Sequence, residues 1–204
     1  MLKGLSRGLV MCLLTLICGG CAETIERVKP ARVSLGVTGR QLKAAYNGLR
    51  VDKVIPLWEI RAKKQLRKNL DLYAKGQLNE GAVDAEHPIF AGKGEGHLES
   101  AGLGLNYFPL ETRAIGLDLG LEMYYSDYQM RGQWGLVRQE TPDRFWGGGG
   151  NLGIMGEIPL DKEQCWSLVW GTGHNLNATR AEEARVNLSG WYGTVGLQLN
   201  WGNK

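Results

Sequence analysis

Residues 113–125, RAIGLDLGLEMYY, set Ile115, Leu117, Leu119, Leu121 and Met123 at every second position, with Gly116, Asp118, Gly120 and Glu122 between them. Successive side chains of an extended strand point to opposite faces, so this segment has one apolar face and one small or charged face. The pattern recurs at residues 57–76, LWEIRAKKQLRKNLDLYAKG. There Trp58, Ile60, Ala62, Leu66, Leu70, Leu72 and Ala74 hold even positions, and Glu59, Arg61, Lys63, Gln65, Asp71 and Lys75 hold odd ones. A basic amphipathic helix striped by Leu66, Leu70 and Tyr73 is the competing reading. Lys64 and Lys68 break the even series near the middle, but one parity holds for most of the run and the polar Arg67-Lys68-Asn69 falls where a turn is needed, which favours a hairpin.

The same reading predicts strands over 31–38, on either side of 67–69, and over 96–107, 113–125, 150–158, 165–174 and 185–201, eight in all. Their connections alternate in length: 39–55, 77–94 and 126–147 are long, 67–69, 108–112 and 159–164 short, and 175–184 intermediate. An even number of alternating strands with one short-turn end predicts an all-β fold, an eight-stranded antiparallel up-and-down transmembrane β-barrel. Its apolar face meets lipid, and both termini sit at the periplasmic end. All six prolines, Pro30, Pro56, Pro88, Pro109, Pro142 and Pro159, are expected in connections or at strand ends, because proline cannot donate to a ladder. Gly102, Gly104, Gly116 and Gly120 fall on the inward parity, where small residues let a narrow barrel close.

Ahead of the barrel, Lys3 and Arg7 precede an apolar stretch, Leu9–Ile17, too short to span a bilayer, and Gly19 and Gly20 follow. Residues 1–20 read as an export signal, 21–30 as a periplasmic linker and 31–204 as the barrel. Leu16-Ile17-Cys18-Gly19-Gly20-Cys21-Ala22 resembles a bacterial lipobox, which makes Cys21 the expected lipid attachment site; Cys18 stands where such boxes usually carry leucine, and ordinary cleavage is the alternative. Cys12, Cys18 and Cys21 lie in or at the end of this segment, leaving Cys165 alone in the body of the chain, so no internal disulfide is expected. Without Lys3 and Arg7 the 24 basic residues become 22 against 21 acidic ones, a balance that disfavours nucleic acid as a partner.

Strand periodicity, loop asymmetry and the closing segment Gly193–Trp201 together resemble the small eight-stranded outer-membrane barrels: the OmpA-type transmembrane domain, the OmpX-like proteins and the opacity-like adhesins. The resemblance implies location in the bacterial outer membrane and partnership with outer-membrane lipids and lipopolysaccharide. It also implies recognition by the barrel-insertion machinery through the last strand, here followed by Gly202, Asn203 and Lys204 where the family usually stops on the aromatic.

Inward parity collects Glu59, Arg61, Lys63, Asp71, Lys75, Asp118, Glu122 and Glu157 in a lumen just wide enough for side chains, where they are expected to pair and plug it. A proton or ion path is the alternative use of such groups. Aromatic girdles are expected from Tyr107, Phe108, Trp166 and Trp201 at the periplasmic rim and from Trp58, Tyr124, Tyr125, Tyr128 and Trp146 at the outer one. The loop 126–147 mixes Tyr128, Trp134 and Trp146 with Arg131, Arg138 and Arg144, suited to a phosphate-rich surface or to a partner. His87, His97 and His174 are too scattered to hold a metal, and no cofactor is expected. A non-catalytic, monomeric surface protein is the primary reading. One alternative is a lipid A deacylase-like hydrolase built on His174, Ser189 and Glu182, although Leu176 stands where that family's His-x-Ser pattern needs serine. The other is a soluble periplasmic lipoprotein with a lipocalin-like barrel, which would turn its apolar residues inward.

Overall fold

The computed structural model describes the backbone of residues 31–46, 49–86, 91–126, 129–134, 137–140, 145–179, 185–187 and 189–200, with side chains over 32–43, 52–79, 98–125, 147–176 and 189–200. The described elements are all strands: β1 (Ala31–Tyr46), β2 (Leu49–Arg67), β3 (Leu70–Glu86), β4 (Ala91–Tyr107), β5 (Gly116–Ser126), β6 (Gln129–Trp134), β7 (Val137–Glu140), β8 (Phe145–Pro159), β9 (Trp166–Thr179), β10 (Arg185–Asn187) and β11 (Gly190–Asn200). Eight of them close a ring of antiparallel pairs in the order β1-β2-β3-β4-β5-β8-β9-β11 and back to β1. β6, β7 and β10 pair above the ring, β6 with β4, β7 with β6 and β10 with β1. The hairpin turn falls at Lys68-Asn69, as the parity break predicted.

The wall is inverted relative to a water-soluble barrel. Leu117 and Leu119 are 45% and 48% exposed on the outside, whereas Asp118 and Gln198 are 2% and 0% exposed inside. That orientation overturns the lipocalin-like alternative. The outward face of β5 stays apolar from Ile115 to Tyr125, ten residue steps or about 33 Å along the chain. At the usual strand tilt this gives a belt ~25 Å tall, the height of a bilayer's hydrocarbon core. Leu35, Leu103, Leu105, Leu121, Leu152, Ile154, Val195 and Leu197 continue the belt around the ring.

Several boundaries differ from the sequence reading. The connections 39–55 and 77–94 are strand over most of their length: β1 and β2 stay paired to Tyr46↔Leu49, and β3 and β4 to Glu86↔Ala91. The strands expected from 113 and 165 begin later, at Gly116 and Trp166, because Arg113 (φ 55°) and Gln164 (φ 56°) take left-handed conformations that end the turns. In the second turn the Asp161 carboxylate accepts from the amides of Cys165 (3.1 Å) and Trp166 (2.8 Å). The strand expected over 185–201 divides into β10 and β11, with Gly190 (φ 144°) opening the second. Pro56 lies inside β2 and not at its end. Residues 1–30, which hold the expected signal and Cys21, lie outside the described residues, as do Pro88, Pro142, Tyr128, Glu182 and Trp201.

Candidate functional site

Alternation drives every second side chain of the ring inward, and the lumen is filled in tiers. At the periplasmic end Glu157 receives Lys63 Nζ (2.8 Å), Arg113 Nε (2.8 Å) and Arg32 Nη1 (3.1 Å), while Asp71 receives Arg32 Nη2 (2.7 Å) and Arg113. The left-handed backbone at Arg113 swings its guanidinium back over the mouth of the ring, where it lies 3.9 Å from the centroid of Phe108. One tier up, Glu59 accepts from Arg61 Nε (3.1 Å), Gln77 Nε2 (2.6 Å) and the Thr38 hydroxyl (2.9 Å). Near the outer end Glu122 pairs with Arg40 and with Lys75 Nζ (3.1 Å). Above this, Leu42, Ile55, Leu57, Leu98 and Tyr124 make the lumen apolar.

The centre is held by two crossed tyrosines. Tyr192 on β11 lies opposite Gly173, which lies opposite Gly153, which lies opposite Asp118. Because two successive strands offer no Cβ there, the ring reaches across both and its hydroxyl donates to Asp118 Oδ2 (3.1 Å). Tyr73 on β3 crosses in the opposite direction, over Gly104 and Gly120, and its hydroxyl accepts from Asn151 Nδ2 of β8 (3.4 Å). Asn106 (2.9 Å) and Asn151 (3.2 Å) also donate to Asp118, with Arg61 Nη1 at 3.8 Å. A Cβ on any of these glycines would overlap a ring or the neighbouring backbone.

The eight acidic and basic residues that parity assigned to the lumen, Glu59, Arg61, Lys63, Asp71, Lys75, Asp118, Glu122 and Glu157, are all buried inside the ring. Arg32, Arg40 and Arg113 were missed. The first two share the parity of Ser34, Gly36 and Thr38 and could have been found that way. Arg113 enters through a backbone conformation that carries no sequence mark. Among the described residues six cations thus meet five carboxylates.

Of the aromatic girdle residues, Trp58, Tyr107 and Trp166 face outward and are exposed, and Tyr125 is half-buried on the outer face. Trp58 and Tyr125 lie on one register row, Trp58↔Leu78↔Glu99↔Tyr125↔Trp146, whose last side chain is outside the described set. Two assignments are corrected. Phe108 and Tyr124 are 0% and 1% exposed and point into the lumen, where Gly116 and Gly147 leave room for their rings. His174 stands on β9 with its ring 5.7 Å from that of Trp191, edge to face. Among the described residues no group of acidic, histidine and cysteine side chains could hold a metal.

Beyond the girdle row β3 and β4 continue paired for eight more residues each, about 26 Å along the chain, and β6, β7 and β10 widen this part into a sheet that stands clear of the apolar belt. An apolar belt around a closed polar lumen, with short turns at one end and a raised sheet at the other, defines a small outer-membrane β-barrel. No family model matches the chain, and neither does any curated protein. The fold is similar to that of Ail, the attachment invasion locus protein of Yersinia pestis, with a TM-score of 0.52 and 9% identity over 84% of this chain and 97% of that one. Weaker likenesses include Neisserial surface protein A (TM-score 0.45, 14% identity, 86% of this chain and 100% of that one). Another is the outer membrane protease OmpT of Escherichia coli (TM-score 0.46, 8% identity, 87% and 98%). The chain has the outer-membrane barrel fold, with an apolar belt suited to a bilayer.

Proposed function

We propose that the protein is a non-catalytic surface barrel whose raised sheet engages lipopolysaccharide or a partner outside the cell. The observation that carries this reading is the division of the molecule into a plugged ring and an extended external sheet. With Arg40, Lys63, Asn106 and Gln198 all less than 2% exposed, the lumen offers neither a pore nor a solvent-filled active site, so the surface available for function is external. The β6–β7 hairpin contributes Arg131 and Arg138 to that sheet, residue types that bind phosphate and carboxylate groups. Cys21, if acylated, would tether the periplasmic end, and insertion would proceed through β11 as for other barrels of this fold.

The test is deletion of residues 129–140 together with an Arg131→Ser, Arg138→Ser variant, both scored for binding to immobilised lipopolysaccharide and to whole host cells. The heat-modifiable migration of a folded barrel is kept as the control. Loss of binding with an intact barrel supports the reading. Unchanged binding refutes it.

A further inference from the structure

One ionisable side chain on this wall faces lipid. Among the described outward residues of β8, β9 and β11, His174 is the single titratable group, set beside Leu152, Leu176 and Trp191, which are 58%, 67% and 69% exposed. The ladder fixes its height. One register row runs Ala31↔Lys64↔Leu72↔Leu105↔Leu119↔Leu152↔His174↔Trp191, and Arg40↔Tyr192 then returns it to β1 level with Gln41, ten residues above its start. At the usual strand rise and tilt that circuit climbs about 25 Å, roughly 3 Å per strand. His174, six steps along, lies ~19 Å above Ala31, whereas Ile115 and Tyr125, the ends of the apolar belt on β5, lie at ~2 and ~27 Å. The imidazole therefore stands in the outer half of the belt, beneath its upper edge.

A hydrogen-bonding, ionisable group at that depth is costly and is kept where it has a use. Trp191 meets the ring edge-on at 5.7 Å, and among the described residues His174 makes no hydrogen bond. Its neighbour Thr172 is answered, donating its hydroxyl to the Tyr192 carbonyl (2.9 Å). Beside the ring the wall is bare. Gly193, opposite Thr172, and Gly39, opposite Gly193, leave two adjoining strands without a side chain, and a Cβ at Gly193 would meet nothing within 4 Å. Trp191 and Val195 flank this notch along β11, and it opens to the bilayer, so the packed lumen is not involved. An unanswered imidazole over a notch near the top of the hydrocarbon matches the polar group a lipid carries there: the carbonyl that joins an acyl chain to its headgroup. We propose that His174 donates a hydrogen bond to the ester or amide carbonyl of one outer-leaflet lipid, whose acyl chain lies in the notch at Gly193 and Gly39. The site stands below the raised sheet and is independent of what that sheet binds.

The experiment folds the full chain in detergent micelles with diacyl phosphatidylethanolamine or with its dialkyl ether analogue, which lacks the carbonyls, and counts retained lipids by native mass spectrometry as the micelle is stripped. One ester-linked lipid should be retained about fivefold more than the ether analogue, the preference that one net hydrogen bond gives. His174→Leu should abolish that preference, and His174→Gln, which keeps a donor, should restore part of it. Gly193→Leu should cover the notch and lower retention of both lipids. Heat-modifiable migration should stay unchanged in all three variants, and deletion of residues 129–140 should leave the preference intact. Lipid A added at equal concentration separates the two sources: displacement of the ester lipid makes lipid A the occupant, and its failure to displace makes a glycerolipid the occupant. Equal retention of the ester and ether lipids, an ester preference that survives His174→Leu, or retention unmoved by Gly193→Leu would each overturn the proposal.

Discussion

Replacing Glu157 with glutamine removes the carboxylate on which the periplasmic tier converges. Glu157 receives Lys63, Arg113 and Arg32 at 2.8, 2.8 and 3.1 Å, and with Asp71 it answers three cations. The substitution keeps the shape and leaves three buried or half-buried cations facing one carboxylate. Breaking a buried pair by removing one partner costs about 3–5 kcal/mol, chiefly because the remaining charge is left unanswered. At an ordinary urea slope of about 1–3 kcal/mol per molar, a loss of that size lowers the unfolding midpoint by roughly 1–5 M. Reversible urea unfolding in phospholipid vesicles, followed by tryptophan fluorescence, measures it. Adding Lys63→Met takes away one of the stranded cations and should recover about 2 kcal/mol or more of the deficit, because the remaining imbalance is smaller and methionine fills the stem's place. A Glu157→Gln midpoint indistinguishable from wild type, or a double variant worse than the sum of its singles, would refute the claim that charge matching holds this end closed.

Other expectations follow from particular contacts. Gly120→Ala, whose new methyl would overlap Tyr73 Oη and Asn151 Oδ1, should destabilise the barrel by about 1–3 kcal/mol in the same assay. Gly193→Ala, with open space around it, should leave the midpoint unmoved, and Tyr73→Ala should relieve part of the Gly120→Ala loss. Leu119→Arg, at mid-height of the outer belt, should cost about 2–4 kcal/mol and reduce the heat-modifiable fraction. In the periplasmic turn, hydrogen bonding and charge from Lys68 hold the Glu111 carboxyl below its ordinary range. Both side chains are exposed, however, so Glu111→Gln should change neither the midpoint nor its dependence on pH.

The belt and the charged lumen were legible because both depend on parity alone: once Ile115, Leu117 and Leu119 face lipid, Asp118 and Glu122 must face inward. Parity does not mark where a strand stops. Residues 39–55 and 77–94 leave the apolar pattern without leaving the sheet, since above the membrane neither face has to be greasy. Aromatic residues mislead for a related reason. Tyr124 and Phe108 sit among rim-like residues in the sequence, yet their parity and the glycines across from them, Gly147 and Gly116, turn them inside. Pro56 was expected at a boundary because a proline in a ladder forfeits a hydrogen bond. Here the strand continues through it, and the Asn79 side chain answers its carbonyl.

The crossed tyrosines carry a consequence for how the ring is assembled. Tyr192 can lie flat only if Gly173 and Gly153 are both level with it, and Tyr73 only if Gly104 and Gly120 are. Sliding β9 against β11 by two residues would present Gly171 or Asn175 to Tyr192, and sliding β5 against β4 would bring Asp118 or Glu122 beneath Tyr73. The hydroxyl of Tyr192 would then lose Asp118. Each ring therefore works as a key cut for a single alignment of three neighbouring strands, so a cylinder zipped up out of step is rejected from within.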